Sequence, residues 1–217
     1  MKISLKQVFK ESWKEVKKNL GFLVTLFFVV IFVSVFFGLK NQETVSLFGI
    51  IYLLISPLLS YAVASSAIKI SRNEKVYLGS ILKDLRVKTY LLFLSFVILM
   101  NIVLSIFSVL GEFIKQNNPL LGEVVTSLLF LILFVYFIGV MFFPYYRLID
   151  GGKNIWRTIK ESFEMGVGNR AFLFKFAIIL FFLNIAGILA FGFGILITAP
   201  LTSVAIANVY NKIKNKN

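Results

Sequence analysis

Three polar side chains interrupt otherwise apolar runs of this sequence: Asn101, Asn184 and Lys175. An amide in such a run could bind a polar solute or an ion, and it serves equally well to hydrogen-bond a neighbouring helix. A charged amine there is a functional candidate by default, because burying it in hydrocarbon is costly. Lys175 follows Arg170 by five residues, about 7.5 Å along a helix, so its stem can carry the amine back to the end of the run. Pro57, Pro144 and Pro200 each lie within an apolar run. Proline removes a backbone donor and bends a helix, so the three are candidate hinges or fixed kinks. The hydroxyls of Ser56, Ser60, Thr198 and Thr202 stand close enough in sequence to meet the freed carbonyls. Acid–base chemistry would have to come from Asp150, Glu161 or Glu164, which also suit a turn or the pairing of nearby Lys and Arg. With no His and no Cys, thiolate nucleophiles, disulfides and most transition-metal sites are excluded. No nucleophile–base set, paired carboxylates or phosphate loop is present, so no catalytic, cofactor-binding or metal residue is assigned and no cofactor is expected.

The elements that hold these residues follow from hydropathy. The chain has 217 residues, 59% of them apolar and 15% charged, where a soluble domain carries about 25% charged residues. A helix rises about 1.5 Å per residue, so a hydrocarbon core of about 30 Å takes roughly 20 residues. Apolar runs of that length cover about 20–39, 45–68, 89–111 and 124–146. A final region, 171–211, is about twice the length one span needs. Gly187, Gly192 and Gly194 can break it into spans at about 171–187 and 191–210. The expected fold is all-α: one integral membrane domain, 1–217, with six transmembrane helices. The first apolar run begins only at Leu20, behind a charged stretch, and reads as a retained span rather than a cleaved leader.

Of the 23 Lys and Arg residues, all but Lys40 and Lys115 fall at the N-terminus, in the second and fourth gaps, or at the C-terminus. The positive-inside rule puts those segments, and both termini, in the cytoplasm of a multi-pass cell-membrane protein. The net charge of +13 flanks apolar spans and forms no basic domain, so it points to anionic lipid rather than nucleic acid. No carboxylate lies within a span, which counts against a proton or cation carrier.

The chain also repeats. Lys10-Glu11-Ser12-Trp13 returns as Lys160-Glu161-Ser162-Phe163, and Asn19, Phe22 and Leu23 match Asn169, Phe172 and Leu173 at the same offset of 150. Pro57, Ser60, Ala62, Ala64 and Lys69 then match Pro200, Ser203, Ala205, Ala207 and Lys212 at an offset of 143. Units of about 1–72, 73–150 and 151–217 result, the middle one weaker, with Pro144 as its proline. Each reads as a basic amphipathic helix followed by a hairpin of two spans. Ser4 with Gln7 fits a capping box for the first amphipathic helix. All three units start and end on one side, which makes them parallel repeats around an axis along the membrane normal. The amphipathic helices are expected to lie flat on the cytoplasmic leaflet, part of each stripe packing beneath neighbouring spans. Small residues at Ala62, Ala64, Ser65, Ser66, Ala67, Ala205 and Ala207 allow close helix approach.

The order of Pro144, Asp150, Gly151 and Gly152, followed by an amphipathic helix with Ser162 and then Asn169, resembles a broad prokaryotic group of six-span membrane proteins. The group includes the membrane domain of some glycerophosphoryl diester phosphodiesterases and related families of unknown function. The resemblance implies the architecture. It implies no activity, since catalysis in the phosphodiesterases belongs to a separate soluble domain.

These readings favour a non-enzymatic integral membrane protein, a scaffold or accessory subunit. Its expected partners are anionic membrane lipids, a cytoplasmic protein or a second copy of itself. The alternative is a small transporter or channel whose path runs between proline-bent hairpins past Asn101 and Asn184.

Overall fold

The computed structural model describes residues 3–40, 47–117, 120, 122–124, 127, 143–152, 154–190 and 192–215, and among these it is helical with no strand. The helices are α1 (Leu5–Lys18), α2 (Leu20–Lys40), α3 (Leu47–Ser71), α4 (Leu78–Asp84), α5 (Val87–Asn117), α6 described over 143–149, α7 (Ile155–Val167), α8 (Arg170–Leu189) and α9 (Ile195–Lys214). Most of the expected fourth span lies outside the described residues.

Among the described residues three helices, α2, α3 and α8, are long and apolar enough to cross a membrane. Their apolar residues run around the whole circumference, which fits hydrocarbon better than water. On α2, Phe28 and Phe32 are 58% and 61% exposed, and Phe182 of α8 is 62% exposed. Apolar faces of this breadth need a membrane or a partner to cover them. The expectation of six spans is finer than this, and the elements differ from it in two places. First, α5 continues from the apolar run to Asn117, because the polar stretch after Leu110 stays helical and carries Glu112 and Lys115 beyond the apolar part. Second, the α8–α9 turn falls at 190–194, so α9 starts four residues later than expected. Gly192 takes a positive φ of 76° there. Gly187 and Gly194 meet closely: a Cβ on Gly194 would lie 2.5 Å from the Gly187 carbonyl oxygen. These two glycines provide close approach, and Gly192 provides the turn.

The second half of α9 is the centre of the molecule. Val204 to Tyr210 are buried without a break, so this part of the helix is enclosed on every side. Its main neighbour is α3, and α1, α8 and α2 surround the rest. Ala64, Ser65, Ser66 and Ala67 of α3 and Ala205 and Ala207 of α9 are buried. Within hydrocarbon, apolar burial does not drive helices together, so small side chains that admit close van der Waals contact matter most.

One local device occurs twice. The Asn19 amide donates to the Glu15 carbonyl (3.0 Å), and the Asn169 amide to the Met165 carbonyl (3.4 Å). Both residues close the preceding helix and open the next: their N–H groups donate to Val16 and Gly166, and their carbonyls accept from Leu23 and Leu173. Thereby α1 bends into α2 across Asn19 alone, and α7 into α8 across Gly168 and Asn169. Ser12 and Ser162, equivalent and fully buried, each donate to the carbonyl four residues back, at Val8 (2.8 Å) and Thr158 (2.7 Å).

The capping box expected at Ser4 is not formed. Ser4 caps α1 through its backbone in an extended conformation, without a side-chain bond. Gln7 instead donates to Glu11 at 2.8 Å, one turn ahead on the same face.

Candidate functional site at the basic end

The N-terminal ends of α2, α5 and α8 and the C-terminal ends of α3, α6 and α9 meet α1, α4 and α7 at one end of the bundle, where most described cations lie. Three ion pairs join the long helices to the short ones. Lys69 of α3 reaches Asp84 at the end of α4 (2.6 Å) and also donates to the Ser80 carbonyl (2.8 Å). Arg147 of α6 reaches Glu161 of α7 at 2.6 Å. Lys212 of α9 reaches Glu11 of α1 at 2.8 Å. In each pair the cation sits near the C-terminal end of its helix. The acid sits on a short helix that follows it in the chain or, for α9, on the first one.

A tighter knot lies between them. Asp150, in the turn after α6, has a side chain only 7% exposed and holds two cations. Arg72 donates to its two oxygens at 2.9 and 2.8 Å, Lys214 to Oδ2 at 2.8 Å, and the Tyr210 hydroxyl to Oδ2 at 2.9 Å. Asn211 extends the knot, accepting from Arg72 (3.0 Å) and donating to Ser71 (2.7 Å). The ends of α3, α6 and α9, far apart in sequence, are thus fixed on one carboxylate. Burial pushes this carboxyl upward, but hydrogen bonds from Lys214 and Arg72, with the Arg72 charge and Tyr210, more than offset it and hold it below the ordinary aspartate range. The turn itself requires glycine. Gly151 has a φ of 94°, and a Cβ on Gly152 would lie 2.6 Å from Thr158 Oγ1 and 3.0 Å from the Arg147 carbonyl oxygen.

Hydrogen bonds from Arg147 and Arg157 likewise hold Glu161 below the ordinary range, and Glu164 lies 4.0 Å from Lys160. Carboxylates held below their ordinary range, as Asp150 and Glu161 are, are poorly matched to proton transfer near neutral pH.

On α1, Val8, Ser12 and Val16 are buried, and at the equivalent places on α7 so are Thr158, Ser162 and Gly166. Asn208 of α9 donates to Ser12 Oγ and to Glu15 Oε2, both at 2.9 Å. These central stripes therefore pack inward. The edges remain open: Trp13 and Phe163 are each 37% exposed and Trp156 is 71% exposed. Lys17 lies 5.1 Å over the Trp13 ring and Arg170 lies 5.8 Å over that of Phe163.

The intramembrane candidates do not converge. Asn184 donates to the Leu180 carbonyl (2.8 Å) and to Thr202 Oγ1 on α9 (2.9 Å), a bond between helices. Asn101 donates to the Val97 carbonyl of its own helix (2.8 Å) and lines a shallow apolar groove with Leu53 and Ile102. Among the described residues the two amides therefore have separate partners, Asn184 on a neighbouring helix and Asn101 on its own. Lys175 is exposed one turn into α8. Pro57 and Pro200 are buried inside α3 and α9, and Pro144 is buried in α6. The Ser56 hydroxyl lies 3.5 Å from the Leu53 carbonyl, the one that Pro57 leaves free. Thr202 is engaged by Asn184, and the buried Thr198 hydroxyl has no hydrogen-bond partner among the described residues. A cavity of about 340 Å³ between α2, α3, α6 and α9 is edged by Ser34, Tyr52, Ser56, Ser60, Tyr145 and Ser203.

Sequence reasoning missed Tyr210, Asn208 and Asn211. The available signal was their spacing: polar groups at the inner turns of an apolar helix must find partners, because unmet ones are costly there.

The fold and this end together define an all-helical protein suited to a membrane, braced at one end by ion pairs. Compared with known protein families, with curated proteins and with solved structures, the chain has no match.

Proposed function

We propose that the chain is a non-enzymatic, six-span integral membrane protein of the cell membrane. In this reading it is built from three parallel helical hairpins around a pseudo-threefold axis, with both termini cytoplasmic. It acts as a membrane scaffold or accessory subunit, and its basic face engages anionic lipid. The observation that carries the reading is the trio of ion pairs, Lys69–Asp84, Arg147–Glu161 and Lys212–Glu11. Each runs from the second span of one unit to the short helix of the next, the third unit returning to the first. Lys69 and Lys212 are repeat equivalents, as are Glu161 and Glu11, which is what a closed ring of three related units requires. The resemblance carried by Pro144, Asp150, Gly151, Gly152, Ser162 and Asn169 supports the same architecture.

A ring fixed in this way leaves the outer edges of α1 and α7 to the surroundings. An indole with a nearby cation suits the lipid interface. The chain has two tryptophans, so Trp156→Phe leaves Trp13 as its single indole and Trp13→Phe leaves Trp156. In bilayers containing anionic lipid, both single-tryptophan proteins are expected to be quenched most strongly by lipids brominated near the head-group end of the acyl chain. Quenching of both by aqueous acrylamide alone would place α1 and α7 off the membrane and end the lipid-engaging reading.

A further inference from the structure

The three junctions of the basic end are not alike. Where α1 has 14 residues and α7 has 13, α4 has only seven. Beside the short α4 a cleft of about 530 Å³ opens between α3, the start of α5 and the end of α6 with its 150–152 turn, a size that suits a small ligand. Five cations and three carboxylates face it. Lys69 and Arg72 are committed to Asp84 and Asp150. Lys83, Arg86 and Lys88 have no ion-pair partner among the described residues, and Glu74 is the one lining carboxylate in the same position.

We infer that this cleft binds a phosphate-bearing anion through Lys83, Arg86 and Lys88. The three cations line the cleft from α4, the α4–α5 link and the first turn of α5. An arginine fork with two flanking ammonium groups matches a compact, multiply acceptor anion. The surroundings add donors. The Arg86 carbonyl already accepts from Tyr90, so the N–H groups of the first turn of α5 have no carbonyl within the helix to pair with. The Thr89 hydroxyl lines the same wall. The source of the phosphate is either a lipid head group or a soluble phosphate ester, two forms of one chemistry. This inference rests on the proposed membrane reading for the position of the cleft at the lipid surface.

The test uses the full chain in nanodiscs. Binding of sn-glycerol 3-phosphate is measured by calorimetry in nanodiscs of neutral lipid. Retention of phosphatidic acid is measured by native mass spectrometry from mixed nanodiscs. Arg86→Gln with Lys88→Gln is expected to weaken whichever binding the native protein shows by on the order of tenfold or more, since charge-assisted hydrogen bonds are lost. Loss of glycerol phosphate binding identifies a soluble ester, and loss of phosphatidic acid alone identifies a head group. Lys83→Gln is expected to weaken the same binding. Lys88→Arg is expected to retain it, which separates charge loss from misfolding. Binding of neither probe by the native protein, or undiminished binding by the double variant, overturns the inference. If Lys10→Gln with Lys14→Gln on the exposed face of α1 releases the lipid while the cleft variant does not, the cleft assignment fails and the interfacial-helix reading stands.

Discussion

Asp150→Ala is expected to loosen the basic end more than any other single substitution there. It strands Arg72, Lys214 and the Tyr210 hydroxyl together. Breaking a buried ion pair by removing one partner costs about 3–5 kcal/mol. Arg72 and Lys214 keep 34% and 38% exposure and can rehydrate, which brings the expected loss to about 2–3 kcal/mol. Unfolding in mixed micelles, followed by far-ultraviolet circular dichroism, measures it. Asp150→Asn, which keeps an acceptor and loses the charge, is expected to cost less. The pH dependence has a definite sign. The Asp150 carboxyl is held below its ordinary 3.8, and Glu161 below its ordinary 4.5. A depressed carboxyl adds stability that is complete above its unfolded value and is lost as pH falls through the folded one. The native protein is therefore expected to weaken only below about pH 4, and Asp150→Asn to lack the Asp150 share of that decline. An unchanged acid limb in Asp150→Asn would show that the carboxylate does not brace the ends of α3, α6 and α9.

The second large effect belongs to Asn208, buried at the junction of α9 and α1. Asn208→Leu removes both donations, to Ser12 and to Glu15. Ser12 keeps its own bond to the Val8 carbonyl, so the larger loss falls on Glu15. Burial already pushes the Glu15 carboxyl upward, and the Asn208 bond draws it back. Its removal is expected to raise the carboxyl further and to cost about 1–2 kcal/mol. Ser12→Ala combined with Asn208→Leu is expected to cost less than the two separately, because they share one hydrogen bond. Strict additivity would mean that Ser12 and Asn208 do not act together in holding α1 against α9.

The apolar helices were legible in the sequence because length and hydropathy speak directly to the bilayer. The shared local bonds of Ser12 and Ser162, and of Asn19 and Asn169, follow from similar local sequence, each donating to the carbonyl four residues back. The partners across the bundle were not legible. Nothing local tells Arg72 that it will meet Asp150, 78 positions away, or Lys212 that it will meet Glu11. Such pairings depend on which helix ends are neighbours, a property of the whole packing. Asn184 and Asn101 illustrate the same limit. Both are amides in apolar helices and both donate to the carbonyl four residues back, yet among the described residues only Asn184 also crosses to a hydroxyl on another helix, Thr202. The cleft was hidden for a related reason: its walls come from α3, α4, α5 and the turn after α6, which meet only in the packed bundle.

The central claim is that the basic segments share one side of a membrane and the short loops between paired spans the other. The chain contains no cysteine, so single cysteines can be introduced without background, in place of Lys83 and of Lys40. In sealed cells, an impermeant maleimide is expected to label Lys40→Cys from outside, and Lys83→Cys only after the membrane is opened. Labelling of both from the same side would contradict the account.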